Sequence, residues 1–337
     1  MITEPTVFIL GAGASKPYGF PTGKELRSNI CRNLEDQYDD FLNKCYGGHR
    51  SAGRRQKMAN AKDFLKFYKS ARGQPIDLFL ARNPQYENIG KIAIILNILH
   101  AEGGSKFDED LDEKNIKQDW YNFLFEKMSE GLILPDSYKH FKDNAVSFIT
   151  FNYDRSLEHF LFDTLIHSFT KLQDIQYHRN YEQNNKLIPF PFIHVYGEIA
   201  KLHWQHKSGL PYDSEPPYDF LENLTANIRV IHERADKELE DAKGIIRDAK
   251  KVFFLGFGYA PENLKILDIP NIFKNGQNIY GTALQSTPKQ KKDTLTKLTP
   301  NRIKQIVDQE ESWAKTIGSI SIFIEDKNCR QLLEEYL

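Results

Sequence analysis

Two groups of residues in this chain are of types, and at spacings, that could do chemistry. The first is Gly11, Ala12, Gly13, Ala14 and Ser15, which follow directly on the apolar run Val7-Phe8-Ile9-Leu10. A turn with so little bulk above its backbone lets a phosphate or pyrophosphate reach main-chain N–H groups and the positive end of a following helix. The second group consists of polar side chains at the ends of later apolar runs. Asn152 and Asp154 follow the run 145–151, and His194 lies in Phe192-Ile193-His194-Val195-Tyr196-Gly197. Beyond the carboxyl end of a buried parallel strand, such groups face the ligand crevice of an open α/β sheet.

Each signal also has a plainer reading. A dinucleotide fingerprint would place a third glycine at position 16, where Lys16 stands, and no Gly-Lys-Ser/Thr follows as in an ATPase phosphate loop. A tight strand-to-helix turn that binds nothing fits the same residues. Asn152 and Asp154 would also serve as caps for a helix beginning near Ser156. A lone histidine on a strand is more often a satisfied core residue than a catalyst.

The elements that must position these residues follow from periodicity. Short apolar runs near 7–10, 145–151, 192–195, 252–255, 278–283 and 319–324 read as strands, most of them buried on both faces. Five of them end on Gly11, Asn152, the 194–197 stretch, Gly256 and Gly281. Thr22-Gly23-Lys24-Glu25 has the spacing of a capping box and predicts a helix from there to about Glu35. Stretches 156–169, 226–250, 288–298, 301–313 and 329–337 also read as helices. The chain changes character from about 43 to 62, where the polar, glycine-bearing stretch 47–55, basic at Arg50, Arg54 and Arg55, reads as an exposed loop, and 103–112 reads as an acidic turn. Helical periodicity at 61–68, 87–100 and 116–128 marks a helical insertion over about 43–144, within one domain whose core is about 1–42 and 145–337. Strands alternating with helices give the α/β class: a doubly wound, mostly parallel, Rossmann-like sheet with a helical subdomain. Small or polar residues at successive strand ends are what a nucleotide lying across those ends requires.

Composition sets limits on partners. Lys plus Arg number 45 against 46 acidic residues, a net charge of −1, so no global field draws the chain to nucleic acid or an anionic membrane. Cys31, Cys45 and Cys329 lie far apart without a C-x-x-C pair, which argues for reduced thiols and against a cysteine zinc site. With no apolar run of transmembrane length and no basic leader, the expected location is the cytoplasm.

The motifs, in this order, resemble those of sirtuins. Gly11-Ala12-Gly13-Ala14-Ser15 and Gly19-Phe20-Pro21-Thr22-Gly23 are similar to that family's Gly-Ala-Gly-x-Ser and Gly-Ile-Pro segments. Thr150-Phe151-Asn152-Tyr153-Asp154 resembles its Thr-x-Asn-x-Asp strand end, and His194-Val195-Tyr196-Gly197 the segment of its catalytic histidine. Gly256-Phe257-Gly258 resembles the later Gly-x-Ser loop with glycine in place of serine, and Gly281 falls where a ribose or adenine loop is expected. The four-cysteine zinc module of the deacylases is absent, and Pro21-Thr22-Gly23-Lys24 replaces their Pro-Asp-Phe-Arg. What remains resembles the sirtuin-like NAD hydrolase domains of bacterial antiphage defence.

That resemblance implies cleavage of NAD to nicotinamide and ADP-ribose, with Asn152, His194 and Asp154 catalytic. Asn152 would orient water or the carboxamide, His194 would contact ribose hydroxyls or act as base, and Asp154 would stabilise the cation or hold the ribose. Gly11, Ala12, Gly13, Ser15, Phe20, Pro21, Thr22, Gly197, Gly256, Gly258 and Gly281 would bind the dinucleotide. No zinc and no cofactor beyond NAD as substrate is expected. Control would come from homo-oligomerisation or from a companion protein such as a hexameric ATPase. A regulatory module that binds NAD or ADP-ribose without turnover, and an ADP-ribosyl transferase, stay open as alternatives.

Overall fold

Runs such as TVFIL and KVFFL, apolar and rich in β-branched and aromatic residues, form strands covered on both faces by helices. The structure, a computed structural model, describes all of the chain except residues 47–50, 108–112, 174–180, 215, 217–219, 231–235, 301–313 and 318–319. Among the described residues one sheet has seven strands: β1 (Thr6–Leu10), β2 (Val146–Thr150), β3 (Phe192–His194), β4 (Lys251–Leu255), β5 (Asn278–Thr282), β6 (Ala314–Ile317) and β7 (Ile320–Glu325). Their order is β3-β2-β1-β4-β5-β7-β6, all parallel except the edge strand β6, which runs antiparallel to β7. The chain builds outward from β1 to β3, then returns to the other side of β1 with β4. The switch point between β1 and β4 is where an open α/β sheet presents its crevice.

Register is pinned by a row of rings. Phe192, Phe148, Phe8, Phe253, Tyr280 and Phe323 are successive partners across the six parallel strands. Neighbouring rings stack with centroids 4.6 to 5.5 Å apart. A one-residue slip of any strand would turn its ring to the opposite face, so the row fixes which residues end each strand.

Between β1 and β2 the chain is helical. The Thr22–Glu25 capping box forms as its spacing predicts: Thr22 N–H donates to Glu25 Oε2 at 2.9 Å, and Glu25 N–H to Thr22 Oγ1 at 3.4 Å. The helix it starts, Gly23–Tyr46, runs well past Glu35, because Leu26, Ile30, Leu34, Tyr38 and Leu42 keep a buried stripe four residues apart. The expected loop over 47–55 is corrected from Ala52 onward. Asn43–Tyr46 continues this helix, residues 47–50 lie outside those described, and Ser51 caps a helix over Ala52–Ser70. Arg55, Lys62 and Lys66 face outward while Ala61, Phe64, Leu65 and Tyr68 are buried, and the largely covered Arg54 pairs with Asp39.

Helices Glu87–Gly103 and Trp120–Ser129 complete this layer, the latter capped by Asp119. A single apolar core runs through it and the sheet, and no break falls at residue 43. The closing helices Pro288–Leu298 and Cys329–Tyr336 each begin with a capping box. Of the stretch 226–250, residues Asp236–Asp248 are helical, whereas Thr225–Asn227 form a 3-10 turn. The expected helix 301–313 lies outside the described residues, as do 108–112 of the acidic turn. No helix among the described residues is long and apolar enough to cross a membrane.

The first cap makes a pH prediction. Partial burial raises the Glu25 carboxyl, but hydrogen bonds from Lys16 and Thr22 outweigh it and draw the pKa from 4.5 to about 2. A carboxylate so held adds stability above pH 4.5 that is lost as pH falls toward 2. Its side chain is 46% exposed, so solvent screening limits the charge contribution to about 0.5 kcal/mol. Glu25→Gln, which can keep the cap but not the charge, is expected to unfold at slightly lower urea than wild type at pH 7. That gap should narrow at pH 3.5.

Candidate functional site

At the switch point the glycines meet one another. Gly11 N–H donates to Leu255 O at 3.0 Å, and Gly13 N–H to Gly256 O at 3.0 Å. A Cβ on Gly11 or Gly13 would lie 2.6 or 2.9 Å from Gly256 O. One on Gly256, at φ +56°, would lie 2.0 Å from Ala14 N. Small residues are therefore required by backbone-to-backbone contact of the two strand ends, quite apart from any ligand. The contact also occupies N–H groups expected for a pyrophosphate, since Ala14 N–H in turn donates to Gly11 O.

Beneath this clasp lie Ser15, Asn152 and Asp154, all buried. Asn152 leaves the end of β2 and donates through Nδ2 to Gly11 O and Ser15 Oγ, both at 3.1 Å. Its Oδ1, also buried, has no hydrogen-bond partner among the described residues. Ser15 Oγ and the Ser156 hydroxyl and N–H donate to Asp154 Oδ1, so Asp154 takes up the first N–H of the helix Ser156–Ser168, whose N-cap is Arg155, and ties that helix to the first turn. Burial raises the Asp154 pKa and the negative charge of Glu158 adds to this, while the serine hydrogen bonds pull it back. Trp120 Nε1 donates to Ala14 O at 2.8 Å, and Tyr121 meets Ser156, so the helical layer props the turn from behind.

His194, the last residue of β3, stands on the far side of Asn152. Its Nδ1 lies 3.1 Å from Asn152 O, and its Nε2 lies 2.6 Å from Glu158 Oε1. A carbonyl can only accept, so Nδ1 carries a hydrogen. Burial lowers the imidazole pKa, but the charges of Glu198 and Glu158 more than reverse this and raise it to about 9. Both ring nitrogens are thus committed to protein groups, and neither is free for a ribose hydroxyl in this arrangement. Glu158, His194 and Glu198 form a buried group whose ligand atoms all lie within 4.8 Å of one another.

Two cavities flank this centre. A crevice of about 480 Å³ at the carboxyl ends of β1, β4 and β5 is lined by Gly13, Gly256, Gly258 and Thr282, with Lys16 and Lys297 at its walls. The second, about 580 Å³, is lined by His194, Gly197, Glu198, Lys201 and Arg229.

The predicted site residues are therefore divided. Gly13, Gly256 and Gly258 line the crevice; Ser15, Asn152 and Asp154 form the buried hub; His194 and Gly197 face the second cavity. Gly11 and Ala12 lie in the clasp. Phe20 is buried in the core, Thr22 caps a helix, and neither they nor Pro21 line the crevice. Gly197, at φ +75°, admits the Asn227 carbonyl, which a Cβ would approach to 1.8 Å. Gly281 makes room for the Tyr259 hydroxyl rather than for a ligand, and its neighbour Thr282 is the lining residue. Sequence reasoning missed Glu158 and Glu198. Each stands four residues after a singled-out residue, Asp154 and His194, and only the fold shows that both turn to one imidazole.

No family model matches the chain, and a search of curated proteins finds no relative.

Proposed function

We propose that this chain hydrolyses NAD to nicotinamide and ADP-ribose, and that the activity serves to deplete NAD in antiphage defence. The observation that carries the reading is Asn152. It braces the first turn at the switch point with its amide N–H groups, while its buried Oδ1 has no hydrogen-bond partner among the described residues and would accept from a ligand once the turn parts. A dinucleotide lying across the strand ends would have its adenosine half in the crevice by Gly256, Gly258 and Thr282, and its nicotinamide ribose at Asn152. The Gly13–Gly256 clasp would part to admit the pyrophosphate.

The chemistry asks little of an acid. The C1′–N bond of the ribose breaks with its electron pair going to the pyridinium nitrogen, so nicotinamide leaves neutral. Water then bonds to C1′ and its proton passes to solvent. The protein's part is to hold an oxocarbenium-like ribose and aim the water. Asn152 Oδ1 accepts from that water or from the carboxamide, and Asp154, when ionised, offsets the developing positive charge. His194 acts one step back, fixing the Asn152 main chain through Nδ1. Control by self-association or by a companion protein, such as a hexameric ATPase, would keep such an activity in check. The test is nicotinamide release from NAD by the purified chain and its loss in Asn152→Ala.

A further inference from the structure

The geometry points to a divalent transition-metal site, of the kind that takes Zn²⁺, formed by Glu158, His194 and Glu198 at the wall of the second cavity. It departs from the sequence expectation of no metal and does not depend on NAD chemistry.

Four observations carry it. The three ligand atoms lie within 4.8 Å of one another. A tetrahedral Zn²⁺ with bonds near 2.0–2.1 Å spaces its ligands about 3.3 Å apart, so small side-chain rotations would suffice. His194 donates from Nδ1 to the Asn152 main-chain carbonyl, the outer partner that orients a metal-binding imidazole, and an ion would take the place of the proton that Nε2 now shares with Glu158 Oε1. Glu198 is only 8% exposed, yet its buried Oε2 has no hydrogen-bond partner among the described residues. Such an oxygen is costly unless a cation meets it. Finally, the ligands come from three separately anchored places. These are the end of β3, the first turn of helix Ser156–Ser168, and the residue after Gly197, whose backbone is locked against Asn227–Arg229. A set held this way is preorganised rather than assembled on binding.

Charge and access agree. Two carboxylates, with an imidazole that gives up its Nε2 proton as the ion binds, balance a doubly charged ion, and imidazole with carboxylate is a donor set suited to zinc. The cavity supplies an entry path and an open position for water. One cation already competes: Lys201 pairs with Glu198 Oε1 from a side chain that is half exposed.

The test is equilibrium dialysis of the full chain against Zn²⁺ with elemental analysis, alongside thermal melts with and without the ion. Wild type is expected to take up one equivalent and to melt higher with zinc. Glu198→Gln, which keeps size and fold, should bind at least tenfold more weakly and lose the shift. Lys201→Met, which removes the competing charge at a half-exposed position, should bind more tightly than wild type. A folded wild type with no saturable uptake would overturn the site, as would uptake that E198Q leaves unchanged. None of these readouts requires NAD turnover, so the site and the hydrolase reading stand or fall separately.

Discussion

Gly256→Val is expected to remove most of the protein's stability, with a loss of at least about 3 kcal/mol. The native φ of +56° costs a β-branched residue about 1–2 kcal/mol by itself. The added carbon then falls 2.0 Å from Ala14 N and 2.3 Å from Gly13 C, which are backbone atoms of the neighbouring strand end. Overpacking against side chains costs about 1–3 kcal/mol, and here no side chain can rotate away. Gly258→Ala, two residues on, is the internal contrast. Nothing lies within 4 Å of its Cβ position, so its stability should change by about 0.5 kcal/mol or less. Urea unfolding of both variants checks the pair. A Gly256 variant as stable as wild type would mean that the clasp between the two turns does not exist.

The second large effect belongs to Arg155. Its guanidinium and the Glu102 carboxylate are both fully buried and meet side by side, Nε to Oε1 at 2.8 Å and Nη2 to Oε2 at 2.9 Å. Nη1 also donates to Leu210 O at 2.6 Å, and Nη2 to Pro211 O at 3.0 Å. One side chain thus joins the segment after β2, the helical layer and the stretch after β3. Arg155→Met leaves a buried carboxylate without its partner, and a loss of about 3–5 kcal/mol follows. Adding Glu102→Leu removes that charge and should restore part of the loss, though not all, because the Leu210 carbonyl still lacks its donor. A double variant no more stable than Arg155→Met, measured by urea unfolding, would show that the charge pairing is not what matters there.

Most of the sheet was legible in the sequence because buried parallel strands are apolar runs, and TVFIL, VSFIT and KVFFL carry no other plausible reading. Capping signals were equally direct at Thr22–Glu25. Amphipathic helices with strongly polar outer faces were harder. From 52 to 60 the chain shows mainly Arg, Gln, Lys and Asn, and the buried Ala61, Phe64 and Leu65 that hold the helix come only at its far half. The aromatic row across the sheet could not be seen at all, since it depends on a register that residues in separate segments define together.

The site divided along the same line. Asn152, Asp154 and Ser15 converge as strand-end position suggested, because the parallel register of β1 and β2 brings Leu10 opposite Thr150. Glycine was ambiguous in principle: a residue that clears space for a phosphate and one that clears space for another backbone look identical in sequence. At Gly11, Gly197 and Gly281 the space is taken up by protein; at Gly258 it is open to the crevice. His194 was singled out correctly as a polar strand end, but its carboxylate partners come from two other segments, and without them its direction could not be inferred.

The central claim is tested most directly by incubating the purified chain with NAD and following nicotinamide and ADP-ribose together, with Asn152→Ala in parallel and its cooperative melt checked. The account predicts equal release of the two products by wild type and a rate at least about 100-fold lower in the variant. Wild-type protein that binds NAD tightly yet releases no nicotinamide, or an Asn152→Ala variant as fast as wild type, would contradict it.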